Sequence, residues 1–194
     1  DANVLALQRD DLRPDGRGTL RGTLQLRGAR NSPDVADDMN GGDVAFGVNS
    51  AERSAARGRR PWKNGGGSTR EVACWPPGAG FDAFDWRVSI ATIAASGPFS
   101  QFPGVDRVIT LLDGAGVHLQ GDGVDHRLAT SLAPFAFSGD AHVDCTLLGG
   151  VSSDFNVMTR RGLLRAELRV LPAAAELRAA PHGLLLAWRG DWWA

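Results

Sequence analysis

The clearest pattern in the chain is a strict alternation at Asp85-Trp86-Arg87-Val88-Ser89-Ile90-Ala91-Thr92. Trp86, Val88 and Ile90 fall on one side of an extended segment, and Asp85, Arg87 and Ser89 on the other, so the pattern predicts a β-strand. From Pro61 onward, short apolar stretches of four to eight residues alternate with clusters of Gly, Pro, Asp and Ser. That spacing is expected of an all-β sandwich or barrel. Further strands are predicted at 107–112, 116–120, 133–137, 143–148, 155–160, 164–171 and 184–188. Asp113-Gly114, Gly121-Asp122-Gly123, Ser138-Gly139-Asp140 and Gly149-Gly150 mark turns between them, because Gly, Asp and Ser accept or support turn backbones. Only 173–180 has a helical composition, and that piece is too short to stand as a helix. The fold class predicted is mainly β.

Upstream the texture changes. Residues 14–60 are poor in large apolar side chains and rich in Gly, Asp, Arg, Ser and Asn, with the short echo Arg17-Gly18-Thr19-Leu20 and Arg21-Gly22-Thr23-Leu24. Such a segment buries too little apolar area to offset its ordering entropy. It is therefore expected to be a disordered insertion after a first strand over 1–13, although a structureless loop of that length is rare inside a compact domain.

Composition narrows the function classes. The 194 residues are 43% hydrophobic and 22% charged, ordinary for a globular chain of one domain or two small halves. The net charge of −1 gives no basic footprint, which argues against a nucleic-acid or membrane partner. Cys74 and Cys145 lie far apart, so a disulfide framework is not expected and a reducing compartment fits. No apolar run approaches the roughly 18 residues of a membrane span. The N-terminal Asp1-Ala2-Asn3-Val4 carries no secretory signal pattern. It also lacks an initiator Met, so the chain is expected to be processed or a fragment.

Four blocks then stand out in order: Pro61–Glu71 (Pro-Trp-Lys-Asn-Gly-Gly-Gly-Ser-Thr-Arg-Glu), Phe84–Ala91, Gly97–Arg107 and Asp154–Gly162, with a weaker fifth at Pro134–Asp140. Together they resemble the signature blocks of the HutD/Ves family. The resemblance implies a cupin-like, bicupin antiparallel β-barrel or sandwich, with a first half over 61–140 and a second over 141–194. Family members continue into closing strands beyond the equivalent of Trp193, so the second half is expected to be truncated. The resemblance also implies a cytoplasmic protein associated with histidine degradation, with a binding or regulatory role and no established reaction.

The residues themselves point away from most catalytic chemistries. His118, His126, His142 and His182 include no pair at the close spacing of a metal-binding strand, so no metal is expected. Gly66-Gly67-Ser68-Thr69-Arg70 lacks the closing Gly of a nucleophile elbow. Lys63 precedes its glycines, whereas a phosphate loop needs Lys after them. Neither catalytic residues nor a cofactor are therefore expected. The glycine run itself is equally a tight turn or a loop approached closely by a ligand.

Polar strand faces carry the remaining chemistry. Arg87 and Ser89 share one face, and Asp154, Asn156, Met158 and Arg160 share another opposite Phe155 and Val157. Such faces are either solvated or, in a small barrel, turned into the lumen to pair together or hold a ligand. The ligand-binding set expected is Arg87, Ser89, Trp62, Lys63, Asn64, Arg107 and Asn156. The ligand expected is a small anionic metabolite, formylglutamate-like or urocanate-like, with a homodimer compatible with the sequence. Two rivals stand beside this: an isomerase or hydrolase using Glu71, Asp85 or Asp154 as general base, and an interaction module presenting Trp192 and Trp193.

Overall fold

The computed structural model describes residues 3–11, 23–28, 44–47, 51–53, 59–62, 65–171, 175–178, 183–189 and 192–193. These residues contain no helix. The first strands are β1 (Asn3–Asp11), β2 (Thr23–Gly28), β3 (Val44–Gly47), β4 (Ala51–Arg53), β5 (Arg60–Pro61), β6 (Gly67–Trp75), β7 (Trp86–Ile93), β8 (Gly97–Pro98) and β9 (Val105–Asp113). They continue as β10 (Val117–Gly121), β11 (Val124–Leu128), β12 (Pro134–Ser138), β13 (Asp144–Leu147), β14 (Ser152–Arg160), β15 (Leu164–Leu171), β16 (Ala175–Arg178), β17 (Gly183–Arg189) and β18 (Trp192–Trp193). The pairings are antiparallel, as in the hairpin-rich β architecture that the turn spacing predicts.

The chain divides into two compact units, one of residues 1–55 with 166–194 and the other of residues 56–165. The first holds the sheet β15-β1-β17-β3-β4 and the smaller sheet β16-β2-β18. Its strands β2, β3 and β4 fall inside 14–60, where an insertion without structure was expected; the rest of that segment lies outside the described residues, apart from Arg59 and Arg60. Leu24 pairs opposite Leu177 and Leu26 opposite Ala175. The helical composition of 173–180 is thus overridden at Ala175–Arg178 by cross-strand pairing, which commonly outweighs local propensity.

The second unit is a sandwich of two antiparallel sheets, β12-β9-β14-β7-β6-β5 and β11-β10-β13-β8. Its central strand β14 lies beyond residue 140, so the expected boundary between 140 and 141 runs through this unit. Ile93, Ile109 and Leu111 of the larger sheet pack with Val117, Leu119, Leu128, Val143 and Cys145 of the smaller sheet and its approach. Burial of large apolar side chains in such a core contributes about 1.5–3 kcal/mol each. The opposite face of the larger sheet is also buried, at Val88, Phe155, Val157 and Leu112. The strands thus have two covered faces, which explains why β14 is buried at nearly every position rather than at every second one.

The glycine run resolves as a structural turn. Trp62 N donates to Gly67 O at 2.9 Å and Gly65 N to Trp62 O at 3.0 Å, with Gly65 at φ 71°. A Cβ on Gly67 would collide with the Thr92 carbonyl and the Trp62 ring, so only glycine lets β6 start there.

Candidate functional site

Register places the site's side chains on one face. Across β7, β14 and β9, Arg87 lies opposite Met158 and Met158 opposite Arg107. In the next row Ser89 lies opposite Asn156 and Asn156 opposite Ile109; in the row after, Ala91 faces Asp154 and Asp154 faces Leu111. On β6, Thr69 lies opposite Ala91 and Glu71 opposite Ser89. Directly opposed residues project to the same side of a sheet. The face that carries Ile93, Ile109 and Leu111 into the sandwich core therefore also carries Thr69, Glu71, Arg87, Ser89, Arg107, Asp154 and Asn156. The polar faces read from the sequence are turned inward, not solvated.

Arg87 stands at the wall of a cleft of about 130 Å³, lined also by Arg60, Thr69, Glu71, Phe81 and the Gly78–Gly80 turn. Its Nε donates to Glu71 Oε2 at 3.1 Å, and both side chains are largely buried. The guanidinium also lies 4.3 Å from the centre of the half-exposed Phe81 ring, within cation–π range. The partner is Glu71, not the neighbouring Asp85 or Asp106. Regular alternation from Thr69 puts Glu71 on the face of Arg87, and the bulge that follows, between Glu71 and Ala73, lets Val72 and Ala73 both be buried.

Deeper on the same face, Arg107, Asp154 and Asn156 are each more than nine-tenths buried. Arg107 Nη1 donates to Ser100 O at 3.3 Å, and its guanidinium lies 4.9 to 5.5 Å from the rings of Phe137, Phe99 and Phe102. Arg107 Nε, Asp154 Oδ1 and Asn156 Oδ1 have no hydrogen-bond partner among the described residues. An unsatisfied buried polar atom costs about 1–3 kcal/mol, so three on one face of adjoining strands call for an explanation. Burial pushes the Asp154 carboxyl up to about 7 against the opposing pull of Arg107, and lowers Arg107 to about 10.

Of the expected ligand set, Arg87, Ser89, Arg107 and Asn156 share this face. Trp62 serves the fold: its Nε1 donates to Thr69 Oγ1 at 2.7 Å and its ring packs on the core. Lys63 and Asn64 lie outside the described residues, as do His182 and the side chains of Trp192 and Trp193. His118 pairs with Asp125 at 2.6 Å, His142 with Asp122 at 2.9 Å, and His126 stacks on Phe135 at 3.7 Å. Among the described residues, no three His, Cys, Asp or Glu side chains gather as a metal set.

Phe81 and Thr69 were not foreseen, and Glu71 and Asp154 were foreseen only as rival bases. Phe81 sits in a proline- and glycine-rich turn with no periodicity to reveal it. Glu71 is hidden because its strand opens on a glycine run and is not marked by an alternating pattern.

Comparison with known proteins places these residues in a family setting. The HutD family model matches residues 54–193. Protein Ves of Citrobacter koseri is 43% identical over 132 residues, 68% of this chain and 68% of that protein. An uncharacterized 21.2 kDa protein in the hutC 3′ region of Pseudomonas putida is 44% identical over 128 residues, 66% of this chain and 67% of that protein. A conserved protein of unknown function from Pseudomonas aeruginosa PAO1, known from its crystal structure, superposes with TM-score 0.52 at 31% identity, covering 79% of this chain and 96% of that one. HutD from Pseudomonas fluorescens SBW25 superposes with TM-score 0.51 at 29% identity, covering 76% of this chain and 97% of that one.

Proposed function

This chain belongs to the HutD family, and from that premise we propose that its 56–165 sandwich binds a small anionic metabolite on its polar inner face, without converting it. One observation carries the reading: Arg107 Nε, Asp154 Oδ1 and Asn156 Oδ1 are buried on one face without partners among the described residues. Structural polar groups in a protein interior are ordinarily satisfied. Here a donor and two oxygens are held in place on neighbouring strands, as a preformed site for a polar guest requires. The cleft at Arg87 opens on the same face and adds a second guanidinium, which donates from Nε to Glu71.

A carboxylate suits both arginines, since charge-assisted bonds contribute roughly 1.5–3 kcal/mol each. The relative from the hutC 3′ region supports a link to histidine breakdown, for which formylglutamate and urocanate are the guests to try. Calorimetric titration with N-formylglutamate, glutamate and urocanate at pH 6.5 tests the reading. Saturable binding of at least one by wild type, lost in Arg107→Met, is the expected result. No heat of binding from any of them would overturn it.

A second reading is favoured by one specific observation, the raised Asp154 carboxyl. A carboxyl that titrates near neutrality can serve as general base in an isomerisation or hydrolysis. Under that reading the bound metabolite is consumed, and magnetic resonance of the mixture over hours would show product with wild type and none with Asp154→Asn.

A further inference from the structure

The charges that line the cleft beside Arg87 do not cancel. Arg60 of β5, Thr69 and Glu71 of β6 and Arg87 of β7 face it, and Gly80 and Phe81 close it from the turn before β7. Arg107, Asp154 and Asn156 do not line it. Among the described residues its charged side chains are Arg60, Arg87 and Glu71, two cations against one carboxylate. Arg70 stands between Thr69 and Glu71, opposite Ile90, and alternation turns it to the other face of the sheet. The lining therefore carries one surplus positive charge. Glu71, paired with Arg87 at 3.1 Å, is what keeps that surplus from being two.

The geometry also fixes how a guest meets Arg87. Glu71 takes Nε, and the Phe81 ring covers one face of the guanidinium at 4.3 Å. The edge formed by Nη1 and Nη2 is then the side that a guest can reach. Two parallel N–H groups on one edge match the two oxygens of a carboxylate, and they match two oxygens of a phosphate equally well. Thr69 Oγ1 accepts from Trp62 Nε1 at 2.7 Å, so its own O–H can donate to the same guest. Hydrogen-bond geometry alone does not separate the two anions. Charge does. A carboxylate brings one negative charge and phosphate brings about two at pH 8. The second would sit against Glu71 in a partly buried cleft, where like charges repel strongly.

We propose that Glu71 is a specificity-determining residue, which restricts the cleft between Arg60 and Arg87 to carboxylate guests and excludes phosphate. The inference rests on the anion-binding function proposed above and names the class of anion that the cleft selects. Glu71 both holds Arg87 in place through Nε and limits the charge that a guest carries in. Removing the Glu71 charge, or adding a positive one to the wall, makes the surplus two. Gly80 is the place for the second change: it lines the cleft, and a Cβ there meets nothing within 4 Å.

The test is competition calorimetry at pH 8, with N-formylglutamate titrated in the presence and absence of inorganic phosphate at matched ionic strength. The proteins are wild type, Glu71→Gln, Gly80→Lys and the double variant of Glu71→Gln with Arg60→Gln. Glu71→Gln keeps an amide oxygen to accept from Arg87 Nε while the charge is gone. Phosphate should leave wild-type binding unchanged and compete in Glu71→Gln, with a gain of about tenfold in affinity relative to N-formylglutamate. That gain should disappear when Arg60 is also replaced. Phosphate that competes in wild type as well as in the variant overturns the inference and leaves the binding function standing. So does phosphate that stays excluded from Glu71→Gln, or a gain that survives the loss of Arg60. Failure of N-formylglutamate to bind wild type removes both. Should Glu71→Gln not fold, Gly80→Lys answers the same question, with phosphate competition expected and its absence overturning the inference.

Discussion

Two arginines of the same sandwich are treated in opposite ways. Arg161, half-exposed at the turn after β14, donates from Nε to Asp106 at 2.9 Å, from Nη1 to Asp140 at 2.7 Å, and from Nη2 to Ser138 Oγ at 2.9 Å. Asp140 in turn accepts from Gly104 N at 2.7 Å, so the cluster ties the loop before β9 to the turn after β12. Arg107, buried on the neighbouring strand, makes one hydrogen bond of 3.3 Å among the described residues and rests among three aromatic rings. The side chain that water could have served is saturated, whereas the one cut off from water keeps a donor free. Two further buried atoms, Trp86 Nε1 and Thr110 Oγ1, also lack a partner among the described residues, but each stands apart from the others. A buried donor, acid and amide left open together belong to a site rather than to a scaffold.

The largest expected effect that would sharpen this contrast is on stability. Burial raises Asp154 from an ordinary 3.8 to about 7, so the folded state holds its proton where the unfolded chain has released it. Stability is therefore lost as pH rises through the window from about 4 to about 7, and the cost is fully present at pH 8. Asp154→Asn should stabilise the fold at pH 8 by on the order of 4 kcal/mol, and leave it little changed at pH 4. Chemical denaturation at the two pH values measures this; equal effects at both would contradict it.

Next in size is the loss of the inner guanidinium. Arg107→Met should weaken N-formylglutamate binding at least about a hundredfold, the loss expected from one or two charge-assisted bonds, while the melting temperature holds or rises because an incompletely paired buried charge is removed. A large fall in melting temperature would instead make Arg107 a structural residue. At the cleft, Arg87→Ala should weaken binding about tenfold to a hundredfold. Arg87→Lys should do nearly as much, since an ammonium keeps the charge and loses the planar fork shared between Glu71 and a ligand. Smallest is the surface cluster. The hydrogen bonds from Gly104, Arg161 and Ser138 hold Asp140 down at about 2, so its contribution is present above about 4 and disappears as pH falls through 2. Asp140→Ala should lower the melting temperature slightly at pH 7, not at all near pH 2, and leave binding unchanged.

Much of the sandwich was legible because alternation survives where a strand has one polar face. Asp85–Thr92 anticipated β7 to within a residue, and Leu164–Leu171 was anticipated at both ends. β6 was missed because the glycine run opens it and a bulge breaks its period. β11 was missed because Val124 and Leu128 are its only aliphatic residues. The site was legible in part for the same reason. Arg87, Ser89 and Asn156 announced themselves as polar positions opposite apolar ones, but nothing in the sequence says that both faces of β14 are buried. That fact turns Asp154 from a solvated carboxylate into an acid near neutrality, and it depends on the packing of segments far apart in the chain.

The central claim is that the free donor of Arg107 is kept for a ligand. Its Nε–H resonance in protein labelled with nitrogen-15 at arginine reports on that atom alone. Titration with N-formylglutamate at pH 6.5 should move the Arg107 Nε–H signal downfield and saturate, while the Arg161 signal stays where it is. If N-formylglutamate binds and the Arg107 signal does not move, or moves no more than that of Arg161, the inner face is not where the metabolite is held and the account is wrong.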